Sequence, residues 1–255
     1  MLELLLALPP GQPISPSPGL TPVHMAYRIG PGPKLFGVRM APPPQGSLMM
    51  VDCRDFDGEG DPTGCCRQIL GECKRRNFRG VVCDFDSPPL GCLPRLVDML
   101  GRNCAQQDLA LYVPEAFASF SPTARVLIPS ALTSGTLERR LQTALSRYTP
   151  ERTALAVEWV REDFPLPAAG RGDPVSREAL EEQIRRLEPA VFFDRGLCAH
   201  YYTYMAAGGQ AHFVLFDTPR SIREKLNVAE RLRLAAALLP GPEVAGCLEE
   251  ICPPS

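Results

Sequence analysis

The chain has 255 residues and a net charge of −2. That length can bury a large core and fits one (β/α)-type domain or two small ones. The charge balance excludes the basic footprint of a nucleic-acid binder. Ten cysteines stand inside apolar runs (Cys53, Cys83, Cys198) or on a helix face (Cys65, Cys66, Cys73), with no Cys-x-x-Cys pair. They read as buried, reduced small hydrophobes. The histidines His24, His200 and His212 lack metal-ligand spacing, so neither a metal nor another cofactor is expected.

Met1 to Leu8 is apolar but includes Glu3, lacks a basic start and stops at Pro9-Pro10. It is too short to span a membrane and a poor export signal, so the expected location is cytoplasmic, with no membrane span. Residues 1–33 form a proline-rich lead-in, expected to drape over the domain or to be partly disordered; whether they supply a barrel strand stays open, although His24–Ile29 could be a short strand. Leu35–Met40 and Ser47–Asp52 are strand candidates. Thr63 is placed to cap a helix to about Arg76 whose inner stripe is Cys65, Cys66, Ile69, Leu70 and Cys73.

That helix leads into Gly80-Val81-Val82-Cys83-Asp84-Phe85-Asp86, an apolar run of the kind buried on both faces of a parallel sheet. Asp84 and Asp86 share one side of it, because side-chain direction repeats every two residues. Two carboxylates that close make one of them hard to ionise, which sets an acid beside a base. The alternative is that they only end a strand and start a turn.

A helix at Leu93–Arg102, a strand at Leu109–Val113 and a strand at Arg125–Ile128 follow. Next come a helix capped by Thr136, a strand Thr153–Val160 and a loop over 161–175. Ser176 starts a helix to about Glu188. Tyr201–Met205 and His212–Asp217 flank Gly208-Gly209 and read as a β-hairpin inserted late in the domain. Ser221 through Glu224 reads as a capping box for another helix, and Ala235–Leu239 is a last strand. The alternation, with six to eight strands, predicts an α/β fold, a (β/α)8 TIM-type barrel, complete or short of a strand, over 34–245 with a tail at 246–255.

The order of motifs resembles glycoside hydrolase family 18, the chitinase-like barrels, and most of all its bacterial spore-cortex and cell-wall glucosaminidases. The family's fourth-strand pattern Asp-x-x-Asp-x-Asp-x-Glu lies on Arg79 to Asp86, with its third Asp on Asp84 and its catalytic Glu on Asp86. Tyr202-Thr203-Tyr204, Gly208 to Asp217 and Arg220 to Leu226 are similar to the family's late hairpin and the helix after it. The resemblance covers roughly 34–242 and implies that Arg125–Ser130 is strand six, Thr153–Val160 strand seven and Ala235–Leu239 strand eight.

It also implies substrate-assisted cleavage, with Asp86 as the acid and Asp84 orienting an N-acetyl group. The departures fall on that machinery. Asp86 is one methylene shorter than Glu, and a misplacement on the order of 1 Å can cost ~10²-fold in rate. Leu127-Ile128-Pro129-Ser130 offers no strand-six tyrosine, and Ala237-Leu238-Leu239-Pro240 no strand-eight tryptophan.

Two readings follow. One is a catalytically impaired barrel that binds an N-acetylated glycan or serves protein partners in a spore or cell-wall assembly. The other is an active glycosidase on chitin- or peptidoglycan-type polymers. The candidate substrate-binding residues are Glu115, Glu158, Trp159, Tyr204 and Asp217. Each has a structural alternative: salt bridges for Glu115 and Glu158, core packing for Trp159 and Tyr204, and the hairpin–helix corner for Asp217.

Overall fold

The computed structural model describes residues 2–11, 19–86, 88–132, 134–168 and 170–252. The middle of the proline-rich lead-in, Ser87 and the last three residues of the tail lie outside that set. In chain order the strands are β1 (Glu3–Leu8), β2 (Leu20–Gly30), β3 (Lys34–Gly37), β4 (Leu48–Asp52), β5 (Gly80–Asp84), β6 (Ala110–Pro114) and β7 (Arg125–Pro129). After these come β8 (Thr153–Ala156), β9 (Arg161–Pro165), β10 (Asp173–Pro174), β11 (Phe192–Asp194), β12 (Ala199–Met205), β13 (Ala211–Phe216) and β14 (Ala236–Pro240). The helices are α1 (Thr63–Arg76), α2 (Leu93–Gln106), α3 (Leu137–Leu145), α4 (Arg177–Leu187), α5 (Pro219–Arg231) and the short α6 (Gly241–Val244) and α7 (Leu248–Ile251).

Strands β1, β2, β4, β5, β6, β7, β8 and β14 pair in parallel, and β1 bonds to both β14 and β2, which closes an eight-stranded barrel. This corrects the expectation for residues 1–33: the lead-in supplies the first two staves. Leu4-Leu5-Leu6 is short, but Leu5 faces Leu238 on one side and Thr21 on the other. Closure needs that stave, since an open edge would leave backbone groups unpaired. β3 folds back antiparallel on β2 and lies outside the barrel.

Alternation along the strands sorts the core. Leu5, Val23, Leu48, Met50, Val82, Tyr112, Leu127 and Ala154 fill the barrel interior. Met49, Val51, Val81 and Cys83 face outward onto α1 and α2. The expected inner stripe of α1 is present, with Cys65, Cys66, Ile69 and Cys73 buried. Burial pushes the Cys65, Cys73 and Cys104 thiols up to about 12, as befits packing groups. Gly80 is required where it stands, because an added Cβ would strike the Ala110 carbonyl oxygen on β6.

Several local expectations shift. Thr63 does not cap α1; Pro62 holds the cap position, and the Thr63 amide and hydroxyl donate to Asp61 Oδ1 at 3.2 and 2.7 Å. The capping box of α5 sits three residues earlier than expected: Ser221 N donates to Thr218 Oγ1 (3.4 Å) and Thr218 N to Ser221 Oγ (2.7 Å). Barrel strand seven ends at Ala156 rather than Val160. The chain then crosses into a second sheet, antiparallel, of order β10-β9-β13-β12-β11. The expected hairpin is its β12–β13 pair. The expected loop over 161–175 instead holds β9, whose charged Arg-Glu-Asp run becomes a strand by pairing with β13.

Candidate active site at the barrel mouth

β4 and β5 run side by side and end together, so Asp52 and Asp84 are register partners at the carboxyl end of the barrel. Asp52 is held by Arg54, which donates from its amide (3.1 Å) and its Nη2 (2.9 Å). Beyond Asp84 the buried Phe85 turns outward and packs edge-on against Phe117, with ring centroids 5.4 Å apart. That anchor leaves the half-buried Asp84 and the exposed Asp86 both on the mouth. Burial raises the Asp84 carboxyl to about 6, the Asp86 and Asp52 charges push the same way, and Arg54 opposes them.

The two aspartates line a cavity of about 680 Å³ that opens on the carboxyl ends of the strands. Its floor is apolar, from Ala7, Met25, Met50, Leu127 and Leu238. Its rim is acidic: Glu115, Glu158 and Glu243 join Asp84 and Asp86, and no lysine or arginine is among the described lining residues. Glu115 is engaged from behind by Arg140, with Arg147 at 4.0 Å. Glu158 accepts from the Ala131 amide (2.8 Å), while its own amide donates to Ser130 Oγ (2.9 Å). Phe85 is the one aromatic among the described lining residues, and its ring is committed to Phe117.

The structure thus brings together four of the seven candidates, Asp84, Asp86, Glu115 and Glu158. Trp159 lies just past the rim and lines two neighbouring cavities instead. Tyr204 stands on the second sheet, where its hydroxyl donates to Asp163 Oδ2 (2.7 Å) and its ring stacks on His212 at 4.8 Å. Asp217 is buried at the hairpin–helix corner. It pairs with the fully buried Lys225 (2.6 Å) and accepts from Ser221 Oγ and the Val160 amide, both at 2.8 Å.

Sequence reasoning passed over Glu243, carried to the rim by α6 after Pro240-Gly241-Pro242, and Lys225, whose charge is invisible until Asp217 is seen beneath it. Gly241 permits the approach of α6, since a Cβ there would strike the Ala7 carbonyl oxygen. Among the described residues no group of three His, Cys, Asp or Glu side chains is arranged to hold a metal ion, and no helix is long and apolar enough to cross a membrane.

No protein-family model matches the chain, and no curated protein is similar to it in sequence. Solved structures are similar in fold. A chitinase from Chromobacterium violaceum superposes with a TM-score of 0.68 at 16% identity, covering 94% of each chain. The spore cortex-lytic enzyme SleL of Bacillus cereus gives 0.63 at 16%, over 98% of this chain and 74% of that one. A GH18 chitinase mutant from Cycas revoluta in complex with (GlcNAc)4 gives 0.63 at 13%, covering 97% of each. The fold is that of the chitinase-like barrels. In this fold β5, β7, β8 and β14 are the fourth, sixth, seventh and eighth staves, the positions the resemblance implied.

Proposed function

We propose that the protein binds an N-acetylglucosamine-type glycan at the carboxyl mouth of its barrel and is catalytically impaired toward it. The observation that carries this reading is the 680 Å³ cavity bearing Asp84 and Asp86. Ligands of parallel barrels sit at the carboxyl ends of the strands, and one structure of this fold holds (GlcNAc)4. Impairment is supported by the shortened acid at Asp86, which stands beyond the last hydrogen-bonded residue of β5. It is also supported by the lining of β7 and β14, where Leu127, Pro129, Leu238, Leu239 and Pro240 offer no phenol or indole to hold a sugar.

Asp84 favours a second reading, hydrolysis with Asp86 as acid. The Asp84 carboxyl, raised to about 6 chiefly by burial, holds a proton closer to neutral pH than an ordinary carboxyl does, one requirement of an acid–base site. Both readings keep the glycan at the mouth. A cytoplasmic or spore-associated setting, and partners in a spore or cell-wall assembly, belong to the same proposal.

Calorimetric titration of soluble chitin and peptidoglycan fragments into wild type and Asp86→Ala, with a parallel assay for released reducing ends, tests it. Binding that Asp86→Ala alters, without release of reducing ends, is the expected result. Turnover abolished by Asp86→Ala establishes the hydrolase. Absence of binding by the wild type overturns both readings and leaves an assembly scaffold.

A further inference from the structure

The second sheet finishes differently at its two edges. At one edge β10 is only Asp173-Pro174, and Pro174 has no amide hydrogen to offer a further strand. At the other edge β11, Phe192-Phe193-Asp194, carries neither proline nor lysine and pairs with β12 on its inner side alone. Among the described residues, no backbone hydrogen bond other than those to β12 reaches Val191 to Asp194. The outward amides and carbonyls of this edge are therefore a template for another strand.

Apolar side chains stand exposed along the same edge, Val191 at 42% and Phe192 at 54%. Phe192 stacks on Tyr201 with ring centroids 5.5 Å apart, and Tyr201 stacks on Phe213 at 5.2 Å. A ladder of rings thus crosses β13, β12 and β11 and stops at a Phe192 that is more than half exposed. On the opposite face Phe193 is engaged within the chain, tilted on His200 at 4.9 Å with the Arg220 guanidinium 5.0 Å from its centroid. Two exposed charges of opposite sign bracket the run, Glu188 before it and Arg195 after it, and neither forms an ion pair among the described residues.

We propose that β11 is the seam of a homodimer, in which two copies of this chain pair antiparallel through this edge about a two-fold axis at Phe192. A two-fold contact must be complementary to itself, and this edge is so in both shape and charge. Pairing about Phe192 sets that ring against its own counterpart and Val191 opposite the partner subunit's Phe193. Residues directly opposite in such a pair have their Cβ atoms about 5 Å apart, so the aromatic ladder runs on from one copy into the other. The same register brings Glu188 beside the partner subunit's Arg195 at both ends of the seam. A second copy therefore supplies the backbone groups, the apolar surface and the counter-charges that the edge lacks. The pairing stands independently of the glycan reading above.

Sedimentation equilibrium of the full chain, from low micromolar to submillimolar concentration, tests it. Wild type is expected to pass from the mass of one chain to that of two, with Kd on the order of 10 μM, since a seam this short belongs with the weak interfaces. Phe192→Lys sets two ammonium groups opposite each other at the axis and is expected to raise Kd about tenfold or more. Met205→Lys changes an equally exposed apolar side chain of β12 beyond the residues that β11 covers, and leaves Kd unchanged. Glu188→Lys and Arg195→Glu each weaken association about three- to tenfold, and combining the two restores it. A wild type that stays monomeric throughout, association that Phe192→Lys leaves intact, or a charge-swapped double variant that recovers nothing overturns the pairing. Loss of (GlcNAc)4 binding in Phe192→Lys beside a monomeric wild type also overturns it and gives the aromatic edge to the sugar instead.

Discussion

At the amino end of the barrel Glu3, Arg79 and Arg125 are partnered. Glu3 on β1 takes Arg79 and accepts from the Thr21 hydroxyl (3.0 Å), while Arg79 also donates to the Gly46 carbonyl (2.8 Å). Arg125 donates to the Tyr112 hydroxyl (2.6 Å) and lies over its ring. At the carboxyl end the same strands finish in Asp52, Asp84 and Asp86, with Arg54 as their counter-charge, and Glu158 and Glu243 complete an acidic rim. One end is sealed by complementary charge. The other holds like charges together around an open cavity, an arrangement that costs stability and is of the kind that clusters at functional sites. Arg79 thus helps to close the amino end.

The largest expected effect comes from the strip that joins barrel and second sheet. Asp217→Ala leaves Lys225 buried without its partner and should lower unfolding free energy by about 3–5 kcal/mol, measurable by urea denaturation. If the loss is under about 1 kcal/mol, the pair does not pin the strip.

At the mouth the sign reverses. Asp84 binds its proton more tightly in the folded chain than in the unfolded one, so its contribution is most favourable below the ordinary carboxylate range. That contribution is lost as pH rises through about 6. Asp84→Asn should therefore be more stable than wild type by about 1–3 kcal/mol at pH 7, with the gap closing towards pH 4. A variant less stable than wild type at pH 7 would remove the contrast between the two ends. The smallest effect belongs to the floor: Glu3→Ala should cost about 1 kcal/mol, and less at high salt, because both partners are partly solvated.

Much of this contrast could be read in the sequence, and the remainder depended on contacts distant along the chain. The run ending in Asp84 and Asp86 announced a stave with two carboxylates at its end, because alternation and strand length are local properties. The first two staves did not announce themselves. Prolines punctuate residues 9–33, and one of the two partners of β1 is β14, more than two hundred residues away. The same holds at the rim. Glu115 and Glu158 followed from strand ends, but Glu243 needed the turn at Gly241, and Trp159 left the mouth because the chain departs the barrel at Ala156. Lys225 read as an ordinary helix lysine until the corner around Asp217 was folded beneath it.

The most direct test of the division between the two ends is calorimetric titration of (GlcNAc)4 at pH 7 into wild type, the mouth variant Asp86→Ala and the floor variant Glu3→Ala. The account predicts that Asp86→Ala changes Kd about tenfold while Glu3→Ala leaves it unchanged. Equal effects of the two variants, or no binding by the wild type, would contradict it.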